Sequence, residues 1–228
     1  MASRYFTENT MQFLSTLAAN NTRQWFEVHK QDYEATVRTP ALTFITHAAD
    51  ELAMISPHFL AISKKVGGSL MRVNRDIRFG KDKRPYKTNI GIQFRHYMGK
   101  DVHAPGYYLH VEPKNCFIGV GMWRPDAKAL GRIRDTIVED SNGWRAACDE
   151  KRFKNTFSLS GESLTNPPRG YAKDHPQIQD LKRKDFIAIH EISDDHVLST
   201  KLMPTVFKHF KAATPYMQFL CKALELRF

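Results

Sequence analysis

The chain has 228 residues, 42% of them hydrophobic, which is enough for a sizeable buried core and argues against global disorder. No run approaches the ~18–20 apolar residues of a membrane span, and the N-terminus lacks the basic, apolar and small-residue succession of a secretory leader, so a cytoplasmic protein without membrane contact is expected. The net charge of +10 is unevenly placed: residues 64–100 hold eleven Lys or Arg against two Asp, and the rest of the chain is close to neutral.

Residues 1–57 read as helical. Thr7 can cap a helix that turns Met11, Phe13, Leu14 and Leu17 inward and stops at Asn20-Asn21. Thr22 can cap the next, with Trp25, Phe26, His29, Tyr33 and Val37 at three- and four-residue spacing. Thr39-Pro40 restarts the pattern, and Leu42, Ile45, Ala49, Leu52 and Ile55 form one face. The period then changes to two over the strand-rich stretch 67–122. Met71, Val73, Arg75, Ile77 and Phe79 alternate with Arg72, Asn74, Asp76 and Arg78, and a turn at Gly80-Lys81-Asp82 leads to Ile90, Ile92 and Phe94. Tyr107, Leu109 and Val111 alternate with Tyr108, His110 and Glu112, and Pro113-Lys114-Asn115 is a hairpin link into 117–121. Such short links require antiparallel pairing. Residues 123–228 read as helix and loop: a helix with Pro125 in its first turn followed by Leu130, Ile133 and Ile137, another capped by Ser141, a long Gly/Pro-broken loop over 152–176, a strand at 186–190, and a C-terminal helical pair capped near Ser193 and interrupted at Thr214-Pro215. With no repeat and no linker-like composition, the expectation is one α+β domain over 1–228: an antiparallel sheet of about five strands flanked by N- and C-terminal helices. Cys116, Cys148 and Cys221 are far apart and show no C-x-x-C, so they are expected to be reduced, packed thiols.

The basic surplus centres on Arg72-Val-Asn-Arg-Asp-Ile-Arg-Phe-Gly-Lys-Asp-Lys-Arg-Pro-Tyr-Lys-Thr-Asn89. A surplus confined to one segment is a binding signature more than a solubility device. Arg72, Arg75, Asp76, Arg78, Phe79, Lys83, Pro85, Tyr86, Lys87 and Asn89 match the pattern Arg-x-x-Arg-Asp-x-Arg-Phe-x-x-x-Lys-x-Pro-Tyr-Lys-x-Asn, so the chain resembles domain-of-unknown-function family 2461, which has bacterial and fungal members. Phe13-Leu14, Asn20-Asn21, Trp25-Phe26, Tyr33, Pro168-Arg169-Gly170-Tyr171 and His175-Pro176 extend the resemblance along the chain. The resemblance implies no activity, so the residues must supply the chemistry.

Guanidinium forks suit carboxylate and phosphate, and lysines act as mobile point charges. The candidate ligand-binding residues are therefore Arg72, Arg75, Arg78, Lys81, Lys83, Tyr86, Lys87 and Asn89, with Arg169 from the long loop. Strand parity would turn Arg75 toward the core, where a buried pair is the plainer role. Asp76 can tie Arg72 or Arg78 in a structural ladder, Tyr86 can stack on a base or pack as a lid, and Asn89 can be a turn cap. Asp76, His110 and Glu112 are the weak candidates for acid/base work. No nucleotide-binding, nucleophile-elbow or zinc spacing is present, and no cofactor is indicated. The expected function is binding of a phosphorylated or otherwise anionic ligand through this basic strand-turn-strand motif, with a phosphate-bearing small molecule favoured over long nucleic acid. The alternatives are an enzyme acting on a phosphate-bearing small molecule or nucleic acid, and an interaction protein with an acidic protein partner.

Overall fold

The computed structural model describes residues 3–78, 81–99 and 104–228. The N-terminal helices are α1 (Glu8–Ala19), α2 (Arg23–Val28), α3 (Lys30–Tyr33) and α4 (Thr39–Ala53), and a π-helical turn at Glu34–Arg38 leads into α4. That turn has a local cause. Pro40 has no N–H to give to the carbonyl of Thr36, and its ring crowds that oxygen. The buried Thr10 hydroxyl supplies the missing bond, donating to Thr36 O at 2.8 Å. Thr22 caps α2 by accepting from Trp25 N, as its sequence position predicts. The buried face of α4 is Ala41, Phe44, Ile45, Ala48 and Leu52, so the predicted face is rotated by about one residue and Ala49 is exposed. Phe44 sets this rotation: its ring packs edge-on to Tyr5 at 5.1 Å.

Five strands follow in an all-antiparallel sheet of order β1-β2-β3-β5-β4: β1 (Ile90–Arg95), β2 (Gly106–Val111), β3 (Cys116–Met122), β4 (Ser158–Ser160) and β5 (Phe186–Ile192). The fold is thus α+β with a five-stranded antiparallel sheet and helices before and after it, as the sequence predicts. Membership of the sheet differs at one edge. Residues 71–78 do not form a regular strand. Met71 N and Gln93 N bond Gly91 O and Ser69 O, and Arg75 N and Lys87 N bond Pro85 O and Val73 O, so short paired stretches alternate with irregular backbone. Phe79 and Gly80, expected in the strand and its turn, lie outside the described residues. The fifth strand is instead Ser158–Ser160, inside the stretch read as loop.

Between and after the strands come α5 (Ala127–Glu139), α6 (Ser141–Asp149), α7 (Lys151–Thr156), α8 (Ile178–Leu181), α9 (Asp194–Val197), α10 (Leu202–Ala212) and α11 (Thr214–Ala223). Asp140, one residue before the predicted Ser141, caps α6 by accepting from Gly143 N. The buried side chains form one contiguous cluster. Ile90, Ile92 and Phe94 of β1, Tyr107, Leu109 and Val111 of β2, and Cys116, Ile118 and Val120 of β3 point into it. Phe210 of α10 closes on Tyr107 at 4.6 Å and on Phe94 at 6.1 Å. Helices therefore cover one sheet face. By strand alternation, Tyr108, His110, Phe117, Gly119, Ile187 and Ile189 belong to the other face, and that face carries a cavity. No helix among the described residues is long and apolar enough to cross a membrane. Burial raises all three thiols, to about 12 for Cys116 and Cys221.

Candidate functional site

The basic motif is an arm folded back on itself, with its base paired to the outer edge of β1. Asn21, 65 residues away, anchors it: its side-chain amide donates to Tyr86 O at 2.9 Å and accepts from Tyr86 N at 3.0 Å. Phe26 stacks on the buried Tyr86 ring with centroids 4.0 Å apart. Tyr86 is thereby a packing element between the N-terminal helices and the arm.

Most of the arm's guanidinium groups have partners within the arm. Arg78 forks onto Asp76 with bonds of 2.9 and 2.7 Å. Asp82 receives both Arg84 and Arg75. These contacts hold both carboxyls well below the usual carboxylate range, chiefly through the arginine hydrogen bonds. Arg75 is half-buried on the less exposed side of the arm, with Met71, Val73 and Ile77, as strand parity expects, and its partner there is Asp82. Lys83 donates to Ile77 O at 2.9 Å, and Lys81 is exposed. Arg169 is exposed on the 161–177 loop, which Tyr171 ties to Asp135 of α5.

Arg72 and Lys87 are different. Among the described residues no carboxylate lies within ion-pair distance of either. Lys87 is half-buried, and its ammonium is held below the ordinary lysine value by desolvation and then by the like charges of Arg72 and Arg75. Arg75, Asp76, Tyr86, Lys87, Thr88 and Asn89 line a cleft of about 380 Å³. Lys87 and Asn89 also line a second cavity of about 450 Å³ on the open sheet face, so the two share a boundary.

Beside that boundary lies a polar chain. Glu112 accepts from Thr88 Oγ1 and Asn115 Nδ2, both at 2.8 Å, and faces His110 Nε2 at 3.3 Å. His110 Nδ1 lies 2.9 Å from the Tyr108 hydroxyl and 3.4 Å from Asn89 Nδ2. Burial lowers the His110 pKa, with Glu112 opposing, so the ring is neutral near pH 7. A carboxylate only accepts, so Nε2 carries the proton and Nδ1 accepts from Tyr108. Desolvation raises Glu112, but the Asn115, Thr88 and His110 hydrogen bonds outweigh it and its pKa is lowered. Burial raises the Tyr108 hydroxyl. Phe117 stacks on His110 with ring centroids 4.5 Å apart. Of the weak acid/base candidates, His110 and Glu112 face each other while Asp76 is engaged with Arg78, and among the described residues no group of three or more His, Cys, Asp or Glu is placed to hold a metal ion.

Sequence reasoning missed three participants. Asn21 is too remote in sequence to be connected with Tyr86. The Tyr108 hydroxyl was readable only as a member of the His110 face. Gly91 sits opposite His110 in the sheet, and a Cβ there would lie 2.8 Å from both Met71 Sδ and Tyr108 OH.

Fold and site together define an α+β protein with a basic arm at the edge of an open sheet face. The family model described as "Conserved hypothetical protein (DUF2461)" matches residues 9–219, and the chain belongs to that family. Comparisons with curated proteins and with solved structures gave no match.

Proposed function

We propose that the protein binds an anionic ligand, a phosphate-bearing small molecule in preference to long nucleic acid, with Lys87 and Arg72 as the charges that receive it. The observation that carries this reading is the state of Lys87: a half-buried ammonium beside Arg72 and Arg75, without a carboxylate in reach among the described residues, at the wall of a cleft. Crowding like charges in a partly desolvated place costs free energy that a bound anion recovers. Asn89 adds a neutral amide at the same wall, and Arg75 remains close enough to contribute from its pair with Asp82. The remaining arginines serve as scaffold, since Asp76 and Asp82 fix the shape of the arm. The compact cleft fits a small ligand better than a long polymer track.

Calorimetric titration of inorganic phosphate into wild type, Arg72→Ala/Lys87→Met and Arg78→Ala tests the assignment. Binding by wild type and Arg78→Ala with loss in the double variant is expected. Equal binding by all three would show that Lys87 and Arg72 do not receive the anion.

A second reading, enzymatic, has its own observation. The chain from Glu112 through His110 to Tyr108 can orient an imidazole and move a proton in the adjoining cavity, which shares Lys87 and Asn89 with the cleft. It calls for turnover of a phosphoester that Glu112→Gln and His110→Gln each reduce by about 10²-fold or more, in the range for general acid–base groups. Binding without turnover of any phosphoester leaves the binding role alone.

A further inference from the structure

The open sheet face contains a glycine that its own backbone does not need. Gly121 needs its missing side chain: its φ is +113°, and a Cβ would lie 2.1 Å from Phe186 O. Gly119 has neither constraint. A Cβ built there meets only ordinary contacts, 3.6 Å from Tyr108 Cβ and Cδ1 and 3.8 Å from Phe117 Cε2. Glycine inside a strand weakens it by giving up packing and chain stiffness, and it often marks a place where a ligand approaches the backbone. Gly119 sits mid-sheet, paired with Tyr108 on β2 and Ile189 on β5. The next same-face step repeats the pattern: Gly121 lies between Gly106 and Ile187. The result is a trough along β3, about two strand spacings (~9–10 Å) from β2 backbone to β5 backbone, walled by Tyr108 on one side and isoleucines on the other. Phe117 and its stacked partner His110 close one end, and Lys87 and Asn89 border the cavity as they border the anion cleft.

We infer that this trough holds the ring of the ligand: a planar aromatic group, stacked among Tyr108, Phe117 and Ile189 over Gly119, whose attached phosphate reaches Lys87. The inference rests on the anion-binding reading and adds the chemical class of the ligand's body. Charge complementarity favours this orientation, because Lys87 lines the trough beside the anion cleft, whereas further along the lining is Ile187, Ile189 and the neutral Gln93, and the Arg124 guanidinium there lies over the Trp123 ring. The cavity of about 450 Å³ suits a one- or two-ring molecule. Aromatic walls favour flat rings, which stack without the rotamer cost of a flexible acyl chain.

The test uses two probes by calorimetry: 1-naphthyl phosphate and inorganic phosphate. Wild type is expected to bind naphthyl phosphate at least tenfold more tightly than phosphate, and Lys87→Met to weaken both anions. In Gly119→Val the side chain fills the trough, and the two anion dissociation constants are expected to converge. A melting curve for each variant separates lost binding from lost folding, since a Cβ at Gly119 meets only ordinary contacts. Gly119→Ala, smaller still, should give an intermediate ratio. If phosphate binds through Lys87 but the naphthyl group adds nothing, or if Gly119→Val keeps the full preference, the ring site is refuted and anion binding stands. If neither anion binds, both readings fall.

Discussion

Asn21 is the residue whose loss best reports how the basic arm is held. Asn21→Ala removes two hydrogen bonds to the backbone of Tyr86, one given and one received, and strands a part-buried N–H and C=O. A hydrogen bond is worth about 0.5–1.5 kcal/mol net, and leaving a buried group unpaired raises the cost toward 1–3 kcal/mol. Partial access of water at this site keeps the sum near the lower bounds, at about 2–3 kcal/mol. For a chain of this length that is roughly 4–12 °C in melting temperature. Asn20→Ala is the control, since the Asn20 side chain only donates to Thr16 O at an exposed helix end. Urea unfolding with a spectroscopic readout gives both values. Because the clamp places the backbone that carries Lys87, Asn21→Ala should also weaken phosphate binding below the unfolding transition. Equal stabilities for the two variants would show that Asn21 does not hold the arm.

Arg75→Ala should cost no more than about 1 kcal/mol in the same assay, because the Arg75 and Asp82 side chains each keep about a third of their surface in water, 32% and 35%. Gly91→Ala should cost about 1–3 kcal/mol by pushing Met71 or Tyr108 aside, and it should disturb the His110 NMR resonances. His110 titrates below its ordinary value of 6.5 in the folded chain, so the unfolded chain takes up the proton first as pH falls. Its contribution is therefore intact above pH 6.5 and is lost as pH falls below it, until the folded-state pKa is passed; His110→Gln should flatten that part of the stability profile. The stabilisation from Glu112 is lost in a separate, more acidic window, below its ordinary 4.5 and through its lowered folded-state value.

Much of the fold was legible because alternation is a strong signal where a strand has one buried face. Tyr107, Leu109 and Val111 point inward, and Tyr108, His110 and Glu112 share the other face, as the pattern requires. Over residues 71–78 the alternation holds in exposure, with Arg72, Asn74, Asp76 and Arg78 out and Met71, Val73, Arg75 and Ile77 less exposed, but no regular strand forms. There Asp76 and Asp82 draw Arg78, Arg84 and Arg75 into local pairs, and the backbone follows those contacts instead of a ladder. β4 escaped because its three residues, two of them serines, carry too little pattern to stand out in a Gly/Pro-broken stretch. The basic segment itself announced that a site was present. Its division into scaffold arginines and an Arg72 and Lys87 with no carboxylate at ion-pair distance among the described residues depends on which carboxylate each cation reaches, and that is a property of the folded arm.

The most direct measurement is the titration of the Lys87 ammonium by NMR, using ¹³C-labelled lysine and Lys87→Met for assignment. An anion site at Lys87 predicts one lysine titrating below the others in the free protein, and an upward shift of that pKa when inorganic phosphate is added. A Lys87 resonance that titrates with the exposed lysines and does not move with phosphate would contradict it.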